Sequence, residues 1–132
     1  MSLTGWDNAV KLVKQKSEKG ARAIALQLFA AIIKDTPVDT GRLRGNWQTT
    51  IAQPASGSFP NSKDKNGTVA GAAMKEKVTQ WKLNTSIFLT NNLPYAKAIE
   101  GGHSTQRPYG MVKTNVRLFQ AFARRAARNA KS

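Results

Sequence analysis

Between Ala23 and Ile33 the chain reads Ala-Ile-Ala-Leu-Gln-Leu-Phe-Ala-Ala-Ile-Ile, and no other stretch constrains the fold as strongly. At helical spacing this segment is apolar nearly all the way round, so a single packing surface leaves part of it in water. It is far shorter than the roughly 20 apolar residues of a membrane helix, and Lys34-Asp35 closes it. Such a helix demands cover from more than one direction. A chain of 132 residues fits one domain with a moderate core. In so small a protein the remaining cover is expected from a second subunit, with Ile24, Leu28 and Ile32 at the contact.

The helical pattern extends from about residue 5 to 34. Thr4 can cap it, with Asp7 three residues on as in a capping box. Trp6, Val10, Val13, Ser17, Ala21, Ile24, Leu28 and Ala31 share one side. Pro37 cannot continue the helix, because it has no N–H and its ring collides with the preceding turn. Asp39-Thr40-Gly41 then predicts a turn. From Leu43 to Ala52 the residues alternate, with Leu43, Gly45, Trp47, Thr49 and Ile51 on one side, which predicts a half-buried strand.

Residues 53–67 are rich in turn formers and predict a mobile loop inside one domain rather than a linker between two. A short helix is expected over 68–79, with Val69, Ala72, Ala73 and Glu76 at helical spacing, although Gly71 weakens it. Trp81 to Asn91 predicts a second strand. Pro94 starts one helical turn that breaks at Gly101-Gly102. The last helix is expected from Tyr109 to Asn129. Val112, Val116, Phe119, Ala123, Ala126 and Ala130 form its apolar stripe, widened by Met111, Leu118 and Phe122. A second stripe carries Lys113, Arg117, Arg124, Arg128 and Lys131. The expected fold is α+β: one domain in which a small, mainly antiparallel sheet packs against a long N-terminal helix and a C-terminal helix. So small a sheet has open edges. Lys82 and Asn84 blunt them in part, and pairing with neighbours in a ring would cover them better.

Charge is the outlier of the composition. With 21 Lys and Arg against 7 Asp and Glu, the chain carries +14 at pH 7. That predicts attraction to polyanions or acidic protein surfaces, and leaves open a merely solvated basic surface. There is no cysteine, which rules out disulfides and thiolate metal sites. With no basic-then-apolar leader at the N-terminus, the reading is a soluble chain folded in a reducing cytoplasm, with no membrane partner.

Catalysis finds little support. His103 is the only histidine, which excludes multi-histidine zinc and iron sites. Ser104, His103 and Asp39 offer the residue types of a triad, but nothing resembles a nucleophile elbow. Asp35 and Asp39 are separated by helix-breaking Pro37, so they suit a helix end and a turn better than paired acid–base work. Gly41-Arg-Leu-Arg-Gly45 lacks the pattern of a phosphate loop. No catalytic residue, cofactor or metal is expected. Glu100 is a lone acid before Gly101-Gly102. It suits either a bond within the subunit or a charge pair with Arg42 or Arg44, including one across a subunit boundary.

Two blocks remain: Thr36-Pro-Val-Asp-Thr-Gly-Arg-Leu-Arg-Gly-Asn-Trp47, and Asn91-Asn-Leu-Pro-Tyr-Ala-Lys-Ala-Ile-Glu-Gly-Gly-His-Ser-Thr-Gln-Arg-Pro-Tyr-Gly-Met111. They are too idiosyncratic for generic loops. In this order, between a long helix and a C-terminal helix, they resemble the tail-completion or neck proteins of long-tailed bacteriophages, a group that includes the minor tail protein Z of lambda-like phages. The resemblance covers about residues 6 to 125. It rests on Thr36 to Leu43 and on Asn92, Pro94, Tyr95, Ala96, Glu100 and Gly101, followed by Gln106, Pro108, Gly110 and Met111. The basic C-terminus departs from the family pattern.

The resemblance implies a non-catalytic virion protein, made in the host cytoplasm and placed at the neck between head and tail. It implies a homo-oligomeric ring, commonly sixfold, between head-connector and tail-terminator or tail-tube proteins. Ile24, Leu28, Ile32, Arg42, Arg44, Trp47, Tyr95 and Glu100 are then the expected interface residues. Lys113, Arg117, Arg124, Arg128 and Lys131 would face DNA in the channel or an acidic partner. The competing reading is a basic nucleic-acid-binding protein acting outside a virion.

Overall fold

The computed structural model describes residues 18–38, 40–94, 96, 112, 114–118 and 121. The fold is α+β, and its described elements follow in the order helix, short helix, strand, helix, strand. Helix α1 spans Glu18–Asp35 and buries Ala21, Ile24, Ala25, Leu28, Phe29, Ile32 and Ile33. That spacing gives a wide apolar stripe, while Ala23, Gln27 and Ala30 stay exposed on the other side. The helix stops where Thr36 turns its hydroxyl back to donate to the Ile32 carbonyl at 2.7 Å, and Pro37 prevents further growth. Residues 5–17 of the expected helix lie outside the described set.

The strand expected from Leu43 is corrected. Arg42–Gly45 forms a short helix, α2, and strand β1 begins only at Gln48, running Gln48–Ile51. Leu43 and Trp47 are both buried, and a separation of four residues satisfies a helical period as well as an alternating one. Tertiary contacts decide between the two. Gly41 enters α2 at φ 90, and a Cβ there would lie 2.5 Å from the Lys65 nitrogen. Only glycine tolerates both the left-handed backbone and the close approach.

Helix α3 spans Thr68–Gln80. The helix expected over 68–79 is therefore present; its buried face is Ala70, Met74 and Val78, and Val69, Ala72, Ala73 and Glu76 are exposed. The carboxylate of Asp64 accepts the N–H groups of Val69 and Ala70 at 3.3 and 2.9 Å, which satisfies donors of the first helical turn. Strand β2 covers only Ile87–Thr90 of the expected span from Trp81 to Asn91. Trp81 instead closes a turn, its indole N–H donating to the Thr85 carbonyl at 2.9 Å. The two strands pair antiparallel, Gln48 opposite Thr90 and Ile51 opposite Ile87.

The core lies between α1, α3 and one face of this sheet, where Leu28, Phe29, Ile32, Met74 and Leu89 are fully buried. Arg22 and Glu18 tie the start of α1 to the turn before β2. Arg22 Nε donates to the Trp81 carbonyl at 2.6 Å, and Glu18 accepts the Leu83 N–H at 3.1 Å. Of the expected C-terminal helix, the described residues 112, 114–118 and 121 are helical. Val112 and Val116 join the core as expected, whereas Leu118 is exposed and does not widen the stripe. Among the described residues, no helix is long and apolar enough to cross a membrane.

Candidate functional site

The two sequence blocks meet. Leu43 from the first packs with Leu93 and Ala96 from the second in a small apolar cluster of their own. Beside it, Asn91, 1% exposed, donates from its side chain to the Leu43 carbonyl at 2.9 Å. Its carboxamide oxygen also accepts the Leu93 N–H at 3.2 Å, shaping the exit from β2. Asn46, fully buried, donates to the carbonyls of Arg42 and Phe59 and accepts the Phe59 N–H at 2.6 Å. One side chain thus holds the end of α2 and pins the loop that follows β1.

Arg44 spans the junction from the other side. Its guanidinium donates to the carbonyls of Lys34 at 2.7 Å and Thr36 at 2.8 Å, and to Lys65 at 2.6 Å. The first two lie at the C-terminal end of α1, where unpaired carbonyls and the helix dipole favour a cation. Trp47, 3% exposed, donates its indole N–H to the Thr36 hydroxyl at 2.7 Å. A continuous chain of bonds therefore runs from Trp47 through Thr36 to the last full turn of α1. Bonds also reach the loop after β1: Gln48 donates to the Gly57 carbonyl, and Asn92 donates to those of Ala55 and Gly57.

Several residues expected at a subunit interface are thereby placed inside the chain. Ile24, Leu28 and Ile32 are 6%, 0% and 0% exposed and belong to the core, so they offer no surface to a partner. Trp47 and Arg44 are committed to the junction just described. Arg42 lies half-buried at the start of α2. Tyr95, Glu100, Lys113, Arg124, Arg128 and Lys131 lie outside the described residues, and Arg117 is exposed. The roles of Thr36, Asn46 and Asn91 had no counterpart in the pattern reading. Their signal was faint: polar residues set against apolar ones, at the ends of elements where backbone groups need partners.

One groove opens beside this junction, with a volume of about 640 Å³. Trp47, Gln48, Thr49 and Thr50 form one side, Phe59 and Lys63 come from the loop, and Val69 and Ala73 from α3. Among the described residues, no group of three or more His, Asp or Glu side chains could hold a metal. The arrangement offers shape, apolar surface and backbone groups. No known protein family matches the chain, and no curated protein or solved structure does either.

Proposed function

We propose that the chain is a structural protein of the bacteriophage neck, forming a ring of its own copies that completes the tail and joins it to the head. The observation that supports this reading is the convergence of the two family-like blocks. Thr36 to Trp47 and Asn91 to Ala96, some fifty positions apart, build one bonded junction through the Asn91 bond to Leu43 and the cluster of Leu43, Leu93 and Ala96. Motifs that assemble one structural unit explain why they occur together. The described part of the junction is composed of caps and packing.

Since Ile24, Leu28 and Ile32 are internal, the ring contact on α1 falls to the exposed line of Ala23, Gln27 and Ala30, where the two alanines permit close approach. The basic set of Lys113, Arg117, Arg124, Arg128 and Lys131 faces an acidic neighbouring ring in this reading, because a strong grip on DNA would hinder its exit.

Native mass spectrometry of the purified chain tests the proposal. A closed oligomer of defined stoichiometry, dispersed by Ala30→Lys in a variant that still unfolds cooperatively, is the expected result. A persistent monomer that binds duplex DNA, with affinity falling steeply as salt rises, replaces the neck reading with the nucleic-acid-binding one.

A further inference from the structure

The register of the sheet fixes which backbone groups of β1 are free. The Ala52 N–H donates to the Ser86 carbonyl at 2.8 Å, and these two residues lie one step beyond the Ile51–Ile87 pair. In an antiparallel ladder hydrogen-bonded pairs alternate with open ones, so Gln48, Thr50 and Ala52 bond to β2 while Thr49 and Ile51 point their N–H and C=O outward. Among the described residues nothing bonds to those outward groups. The hydroxyl of Thr49, a residue only 8% exposed, is buried without a partner as well.

Trp47, Gln48, Thr49 and Thr50 all line the groove, although alternate side chains of a strand point to opposite faces. A cavity that meets consecutive residues therefore runs along the edge of the strand. Across it stand Phe59, 55% exposed, and Val69, 73% exposed. Asp64 is the only acidic residue of the lining, and its carboxylate is occupied by the amides of α3, whereas Lys63 at the rim is exposed.

We infer that this groove receives one extended segment of an acidic partner protein, which adds to the open edge of β1 as a third strand, its alternate apolar side chains lying against Phe59 and Val69. The main-chain groups of Thr49 inside the groove, and of Ile51 just beyond its lining, supply the bonds, and the apolar walls supply selectivity. Charge selects the partner: exposed Lys63 stands at the rim, the one acid of the lining is already bonded, and a chain of +14 attracts acidic flanks. This site is independent of the neck reading and stands or falls separately from it.

The test is an NMR titration of the full chain with a synthetic ten-residue peptide of alternating Val and Thr, with two Glu at each end. The amide signals of Thr49 and Ile51 are expected to shift and their hydrogen exchange to slow. A peptide with Lys at both ends should bind at least tenfold more weakly. Val69→Asp should weaken the Glu-ended peptide about tenfold while leaving the fold intact, since an exposed acid suits the first turn of a helix. Unmoved Thr49 and Ile51 signals overturn the inference, and so does equal binding of the two peptides. Indifference to Val69→Asp, or a dimer of this chain paired through the same edge, also overturns it.

Discussion

The junction of the two sequence blocks and the open edge of β1 lie side by side, and they treat polar groups in opposite ways. At the junction Asn46, Asn91, Thr36 and Arg44 bond the backbone carbonyls around them, across separations of up to 48 positions. A few residues away, the outward amide and carbonyl of Thr49 and its buried hydroxyl find nothing among the described residues. A buried polar group without a partner costs about 1–3 kcal/mol, so chains rarely keep one where a bond is available. The junction commits its polar side chains to its own backbone, with the buried Nε of Arg44 as an exception, while the edge of β1 leaves main-chain groups unbonded among the described residues.

The largest expected effect comes from removing the central side chain of the junction. Trp47→Ala removes a buried ring and leaves the Thr36 hydroxyl without its donor, and should cost about 4 kcal/mol of stability in urea unfolding. A loss under about 1 kcal/mol in that experiment breaks the contrast, because Trp47 would then be dispensable packing.

Arg44→Lys sharpens the same point. Lysine keeps the charge but cannot reach the Lys34, Thr36 and Lys65 carbonyls with one planar fork. The expected cost is about 2 kcal/mol, and it should be nearly independent of salt because the lost bonds go to neutral carbonyls. A strongly salt-dependent loss shows instead that Arg44 acts as a surface charge.

The smallest effect lies at the end of the open strand. Ala52 is exposed with φ 76, a conformation that alanine adopts only at a penalty. Ala52→Gly should raise stability by about 0.5 kcal/mol, the relief of strain outweighing the added freedom of the unfolded chain. A lower melting temperature for this variant shows that the left-handed residue is better supported than its neighbours indicate.

The parts of the fold legible in the sequence are those whose cause is local. The wide apolar stripe of α1, its stop before Pro37 and the existence of a helix over Thr68–Gln80 follow from periodicity and from the missing proline N–H. Which side of α3 faces inward was not legible, because Val69 and Ala72 are apolar like Ala70 and Met74 and only the position of α1 and the sheet distinguishes them. The strand expected from Leu43 failed for a related reason. A spacing of four between Leu43 and Trp47 serves helix and strand alike, so local pattern cannot choose.

For the candidate site, both blocks were visible as unusual sequence, and their meeting was not. The bond from Asn91 to Leu43 and the cluster of Leu43, Leu93 and Ala96 join residues far apart in the chain, and such pairings exist only once the core has brought the ends of α1 and β2 together. The interface role expected for Ile24, Leu28 and Ile32 was lost by the same means, since one domain proved able to bury them itself. The amino-acid sequence by itself determined where helices run, where they stop and how much charge the surface carries, because propensity, proline geometry and composition act over a few residues. Only the tertiary structure decided that Arg42–Gly45 coils, that Arg44 caps α1, and that β1, among the described residues, has an open edge beside an apolar groove. Those outcomes rest on hydrogen bonds and packing between distant segments, whose energies appear only when the chain is folded.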